Sequence, residues 1–246
     1  MGLFGKLFEK KECAICGGEI GLLGNRKLED GNMCKHCAAK LSPWFTDRKK
    51  STVAEIEEQL AYREANKKKV AAFNVTRILG EDKKIYLDED KMQFFVSGEK
   101  NWKEENPDIL DFTQVLGVNL DSAERRTEEK RQTPEGEMVS YNPPRYTYYY
   151  DFDIRITVKH PYFDDMKFQL NRSSVVVEGV GGRGNSPRIR EYEEMGMEIK
   201  RVLTEARQAG RNVAAPKQAI NCPWCGATTQ PTAKGCCEYC GGSLKG

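Results

Sequence analysis

Nine cysteines stand in a chain of 246 residues, and eight of them fall into C-x-x-C pairs. Cys13-Ala-Ile-Cys16 is followed, after seventeen residues, by Cys34-Lys-His-Cys37. Near the other end, Cys222-Pro-Trp-Cys225 is followed, after eleven residues, by Cys237-Glu-Tyr-Cys240. Two such pairs at either separation supply four thiolates, which saturate one tetrahedral ion. The spacing has a mechanical reason. Each pair closes a tight knuckle that turns two sulfurs toward one point, and the segment between the pairs must fold back to join them. Gly17, Gly226 and Gly241 follow three of the pairs and can adopt the positive φ that such a knuckle needs. The ligands read from spacing are Cys13, Cys16, Cys34 and Cys37 for one site and Cys222, Cys225, Cys237 and Cys240 for the other. The cofactor they imply is Zn²⁺, two ions per chain, both structural. Cys236 is the odd sulfur, because using it would require a C-x-x-x-C pair, and it reads as an exposed spare thiol.

Catalytic zinc keeps one position open for water and usually draws on His or carboxylate. Here both sets are closed by four sulfurs, and the chain has two histidines. His36 is surplus to the C-K-H-C knuckle and reads as solvent-facing; His160, in VKHPYF, stands at a strand end with no cysteine near it in sequence. The glycines of VVVEGVGGRGNSP fit G-x-G-x-x-G at Gly179, Gly181 and Gly184, but no further strand follows the next helix as a dinucleotide fold requires. No phosphate-loop Lys-Ser/Thr pair and no Gly-x-Ser-x-Gly context are present. The expectation is therefore a chain that is not an enzyme, with no catalytic residues and no small-molecule substrate.

The segments that must position the sulfurs are short, roughly 35 and 20 residues, below the size at which an apolar core suffices. Zinc contributes on the order of 10–16 kcal/mol to peptides of this kind, so the ion is expected to hold each module. In the first, GNRKLEDGNM suits a hairpin, and AAKLSPWF reads as a short helix ending near Pro43. Cys34 and Cys37 then sit on a helix's first turn, where backbone N–H groups favour thiolates. In the bridge that follows, Thr52 and Glu55 form a capping box, and Val53, Ile56 and Leu60 recur at helical spacing to about Lys69. The Lys67-Lys68-Lys69 run reads as a solvated helix end.

From there the period becomes two. AFNVTRIL, KKIYLDE, KMQFFVS, DFTQVLGVNLDS, RYTYYYDFDIRITVKH, MKFQLN and SVVVEG read as strands. A helix from about Pro187 to Gln208 then buries Ile189, Met195, Ile199 and Leu203. Glu124 to Pro144, charged and holding Pro and Gly, reads as a long mobile insertion. Tyr146, Tyr148, Tyr149 and Tyr150 invite base stacking, but alternation along a strand favours cross-strand packing.

The expected layout is α+β: the middle resembles a PH-like antiparallel barrel with a C-terminal helix, flanked by two small four-cysteine zinc modules. The expected divisions are 1–48 for the finger, 49–70 for a linker helix, 71–209 for the PH-like barrel and helix, 210–219 for a linker and 220–246 for a zinc ribbon. Taken with the STVAEIEEQLAYREAN helix and the NPDILDFTQV strand, the two first knuckles resemble a bacterial family known only as a domain of unknown function. Its N-terminal four-cysteine finger is treble-clef-like. The resemblance covers roughly residues 11–205, while the tail is similar to generic zinc ribbons. It implies zinc and a bacterial cytoplasmic setting, and brings no activity.

Net charge is +2, unevenly spread. Residues 1–50 carry ten Lys/Arg against six Asp/Glu, and residues 206–246 five against one, which leaves the middle at −6. No apolar run reaches the roughly 18 residues of a membrane span. MGLFGKLFEKK has only a short, interrupted apolar stretch and no small-residue cleavage site, so it is not expected to be a secretory signal. Three functional readings follow in order. First is a non-enzymatic zinc-binding adaptor or scaffold whose partner is another protein. Second is nucleic-acid binding through the basic ends, with strong salt dependence. Third is membrane-surface recruitment through the weakly apolar face of residues 1–10 with the PH-like domain.

Overall fold

The computed structural model describes residues 11–179, 183, 186–214, 219–232 and 235–244. The chain folds as two compact units, Met1–Arg207 and Gln208–Gly246. The expectations placed on residues 1–10, on Gly181 and Gly184, and on residues 215–218 of the second linker lie outside the described residues.

The first unit opens with two small hairpins. Strands β1 (Lys11–Glu12) and β2 (Glu19–Ile20) pair antiparallel, as do β3 (Asn25–Lys27) and β4 (Asn32–Cys34). A one-turn helix α1 (Lys35–Ala38) follows directly, with Cys34 as its N-cap. Helix α2 (Val53–Ala72) starts at Thr52, and both halves of the capping box form: the Thr52 side chain accepts from the Glu55 N–H, and the Glu55 carboxylate accepts from the Thr52 N–H. Its buried stripe is Ile56, Gln59, Arg63, Asn66 and Val70, a mostly polar face at helical spacing.

Four antiparallel strands come next in spatial order β5 (Arg77–Leu79), β6 (Lys84–Asp88), β7 (Gln93–Ser97) and β8 (Leu110–Asp111), with a one-turn α3 (Trp102–Glu105) between the last two. Both faces of this sheet are covered. Ile85, Leu87, Phe94 and Val96 enter the main core, while Tyr86 and Phe95 stack in a second cluster with Val70, Phe73 and Ile109. This two-sided burial explains why KIYLD and QFFVS hold consecutive apolar residues where the expected period of two would alternate.

A second sheet is built on one long strand. β10 (Met138–Val158) pairs along one edge with β9 (Val115–Gln132), and along the other with β11 (Asp165–Gln169) and β12 (Val175–Gly179). Phe152, Ile154, Ile156 and Val158 turn one face of β10 into the core shared with the first sheet. Helix α4 (Pro187–Ala214) covers that core with Ile189, Tyr192, Ile199, Val202 and Leu203 buried and Met195 partly so. Gly196 lets it approach: a Cβ there would lie 2.6 Å from a Leu120 methyl. The helix runs past the expected end at Gln208, since Gly210 alone does not stop it.

Two expectations are corrected. The antiparallel sheets do not close into a barrel: a 3₁₀ turn at Phe112–Gln114 separates β8 from β9, and no ladder joins the two sheets among the described residues. Residues 124–144 are not a mobile insertion but the distal part of the β9–β10 hairpin. Their polarity reflects two solvated faces. Arg125 lies over the Tyr149 ring at 4.5 Å and Arg126 over Tyr146 at 4.7 Å, so the tyrosines serve cross-strand packing. Pro143 and Pro144, which cannot donate to a ladder, fall in the irregularity between Ser140 and Arg145.

The second unit contains the end of α4 and one two-stranded ladder, β13 (Ile220–Asn221) with β14 (Thr228–Thr229). No helix among the described residues is long and apolar enough to cross a membrane.

Candidate metal centres

The structure brings together the eight cysteines picked out by spacing, four at a time. Cys13, Cys16, Cys34 and Cys37 place their sulfurs within 4.8 Å of one another, and so do Cys222, Cys225, Cys237 and Cys240. The Cys16–Cys34, Cys222–Cys240 and Cys225–Cys237 sulfur pairs are 3.9, 3.6 and 3.7 Å apart. A Zn–S bond of about 2.3 Å gives a tetrahedron edge of about 3.8 Å; a disulfide would be about 2.05 Å. The donor sets therefore fit a tetrahedral thiolate-bound ion. Cys236 lies outside the second set, half-buried, and its backbone bridges antiparallel to Ser243.

Local backbone chemistry makes these positions. Three knuckles share one hydrogen-bond frame. The first cysteine donates its N–H five residues on (Cys13 to Gly18, Cys222 to Ala227, Cys237 to Gly242), and its carbonyl accepts from the glycine four residues on. Those glycines, Gly17, Gly226 and Gly241, have φ of 69°, 72° and 72°, the left-handed region where a side chain is strained. The fourth pair differs. Cys34 caps α1 and accepts from the Cys37 N–H, so a helix N-terminus takes the place of a knuckle. A knuckle plus a helix end in the first site and two knuckles in the second give the finger and the ribbon their separate forms. In the ribbon, Gly242 has no room for a Cβ, because the Trp224 ring lies against it while its Nε1–H donates to the Ser243 carbonyl.

The thiols are not equivalent without an ion. Burial pushes the Cys13 thiol up, but N–H groups of Cys34, Cys16 and Ile15 pull it down further, to about 6. Burial and the three neighbouring sulfurs push Cys37 up to about 12. In the ribbon, the Cys240 and Tyr239 N–H groups lower Cys237 to about 7. Cys240 gains from the Gly242 N–H, but burial and its three sulfur neighbours raise it to about 12. Four negative sulfurs cannot share so small a volume alone. A divalent cation removes the conflict and fixes all four as thiolates.

The finger is joined to the sheets through α2 by a buried polar network that its sequence does not announce. Arg63 and Asp108, with side chains 6% and 0% exposed, pair at 2.7 Å. The other Asp108 oxygen accepts from Ser42 Oγ at 2.7 Å, and Arg63 Nε donates to the Lys40 carbonyl. Asn66, one turn on, donates to the Pro107 carbonyl and accepts from the Ile109 N–H.

Beside this strut a groove of about 630 Å³ opens between the finger and the second sheet. Trp44, Phe45, Tyr162 and Phe163 supply its aromatic wall, and Asp47, Glu55, Glu58, Asp164 and Asp165 its charge, with no Lys or Arg in the lining among the described residues. His160 belongs to that wall, stacked on Phe163 at 4.0 Å and hydrogen-bonded through Nε2 to the Tyr62 hydroxyl at 2.9 Å. Burial, with Lys69 and Arg63 nearby, holds its pKa below the usual imidazole value. His36 is exposed on α1.

Among known proteins, a family model described as a domain of unknown function, DUF4428, matches residues 11–59, about a fifth of the chain. That span holds the first four-cysteine set and the start of α2, a shorter reach than the resemblance drawn from the sequence. No curated protein and no solved structure matches the chain.

Proposed function

We propose that the protein is a non-enzymatic adaptor: two structural zinc ions hold a finger and a ribbon, and the surfaces they shape bind another protein in a reducing, bacterial cytoplasmic setting. One observation carries the proposal. Each sulfur set is complete at four, so an ion held there keeps no position for water or substrate, and a closed site folds a chain without doing chemistry. The α+β middle, read as a PH-like platform, offers the partner the groove beside α2, whose carboxylates and aromatic rings suit a Lys- or Arg-bearing segment. A second reading rests on the charge of the ends: the finger and the ribbon are each basic, which suits nucleic acid.

Elemental analysis should give two zinc ions per chain, and cobalt replacement should give the absorption of a tetrahedral thiolate site. Iron in place of zinc refutes the structural-zinc reading, and a cobalt spectrum showing bound water refutes the closed-site reading. For the partner, random peptides displayed against the zinc-loaded chain should enrich basic sequences, and Glu58→Lys with Asp164→Lys should abolish that enrichment. Enrichment of no basic motif, together with tight salt-sensitive binding to single-stranded DNA or RNA, would transfer the function to the second reading.

A further inference from the structure

Strand β9 is eighteen residues long and has a strand along one edge alone among the described residues. At its body end the outer edge is closed off by Arg207, whose guanidinium donates to the Leu116 carbonyl at 2.6 Å. From Gly117 to Gln132 no such side chain caps a backbone carbonyl among the described residues, Arg183 reaching only the Ser122 hydroxyl. An exposed edge of this length is a template for another strand, and proteins usually blunt one with charge. β9 carries charge, but in an order that fails to repel itself.

Its distal half reads Glu124-Arg125-Arg126-Thr127-Glu128-Glu129-Lys130. The signs are antisymmetric about Thr127. If a second copy of the strand lies antiparallel with the two-fold axis at Thr127, Arg126 faces Glu128, Arg125 faces Glu129 and Glu124 faces Lys130 of the other copy. Each pair occurs twice, so six opposite-charge pairs form and no like-charge pair does. A two-fold interface needs this self-complementarity, since residue i meets j and j meets i. The register is also specified. Moving the axis to Arg126 sets that residue against itself and Glu124 against Glu128. Moving it to Glu128 sets that residue against itself, Arg126 against Lys130 and Arg125 against Arg131. Directly opposed like charges are destabilising.

Two further features fit. None of these six charged side chains forms an ion pair among the described residues, although Glu129 accepts from Thr147 Oγ1, so each can still meet an opposite charge across the outer edge. Arg125 and Arg126 are held over the Tyr149 and Tyr146 rings, which orders the guanidinium planes before a partner arrives.

We propose that the protein forms a two-fold homodimer by antiparallel pairing of β9 with β9 centred on Thr127, joining two sheets into one. Sedimentation velocity on the full zinc-loaded chain tests it with a charge swap. Arg125→Glu/Arg126→Glu makes positions 125, 126, 128 and 129 all acidic, and Glu128→Arg/Glu129→Arg makes them all basic. The wild type should dimerise, each double variant alone should be monomeric, and an equimolar mixture should form the one-to-one heterodimer by native mass spectrometry. Raising the salt from low to half-molar should weaken the wild-type dimer at least tenfold, an arm that decides the matter even if a variant fails to fold. A wild type that stays monomeric, double variants that dimerise unmixed, a mixture that does not associate, or a dimer indifferent to salt each overturns the proposal.

Discussion

Removing zinc should separate the two modules, because they differ in what else holds them. In the ribbon the buried side chains among the described residues are those of Cys222, Thr229 and Cys237; Trp224 and Tyr239 are 72% and 71% exposed. No aliphatic or aromatic side chain is buried there among the described residues. The finger buries Ile20, Leu28, Met33, Leu41 and Ile56 around its cysteines. At about 1.5–3 kcal/mol for each buried side chain, those five contribute on the order of 10 kcal/mol gross, similar to the roughly 10–16 kcal/mol that zinc supplies to a finger peptide. The finger is also tied to α2 through Ile56. The ribbon has no such reserve. Since each 1.4 kcal/mol is about a factor of ten, losing about 10 kcal/mol of metal binding exceeds any protection the ribbon could keep. Hydrogen exchange read by mass spectrometry, with and without a chelator, should show amides of 219–244 exchanging at unprotected rates while the β3–β4 hairpin keeps part of its protection and α2 keeps its own. Cys237→Ser should reproduce the ribbon's loss, and Cys236→Ser should not. Ribbon amides that stay protected after zinc is shown to be gone, or equal effects of the two serine variants, would refute the claim that the metal is this module's core.

Asp108→Ala should cost about 3–5 kcal/mol, because it strands a guanidinium that is 6% exposed. At about 2–4 °C per kcal/mol for a unit of this size, the melting temperature should fall by about 10 °C, and Arg63→Met/Asp108→Leu should recover most of it. For His160 the folded pKa lies below the unfolded value near 6.5, so below that pH the unfolded chain takes up a proton that the folded chain refuses. Stability present at neutral pH should therefore decline as pH drops from about 6.5, and denaturant unfolding of His160→Gln should show a shallower decline. Zinc loading at neutral pH should release at least one proton per site, from Cys37 and from Cys240, and tighten as pH rises. Calorimetry in buffers of different ionisation enthalpy checks it, and a buffer-independent heat refutes it.

The sulfur sites were readable from sequence because their chemistry is local. A knuckle closes within six residues, its glycine is adjacent, and the pairs lie at most eighteen residues apart. The strands of the middle were readable for the same reason, since β6 and β7 meet across one short turn. Closure into a barrel was not, because it depends on whether distant edges meet; the 3₁₀ turn at Phe112–Gln114, fixed by an Asp111–Gln114 capping box, breaks the continuity that closure requires. The proximal strands of the β9–β10 hairpin are legible, but its distal part, 124–144, is not, because composition records polarity without facing. Charges and tyrosines opposed across a two-stranded ribbon have the same composition as a disordered loop.

The least readable part is α2. Its buried stripe of Ile56, Gln59, Arg63, Asn66 and Val70 has helical spacing, but three of the five side chains are polar, so an apolar pattern finds only its two ends. What makes that stripe a packing face lies elsewhere in the chain: Asp108 is 45 residues beyond Arg63, and Pro107 is 41 beyond Asn66. Buried polar contacts of this sort fix geometry more than they add stability, because each is satisfied in one alignment and leaves a stranded group in any other. An apolar stripe would let the finger slide along the sheet by a turn with little penalty. The Arg63–Asp108–Ser42 network does not. Glu55 and Glu58 of the same helix line the groove beside it, so that groove is built on an element held in place by residues that look, in sequence, like ordinary solvated charge.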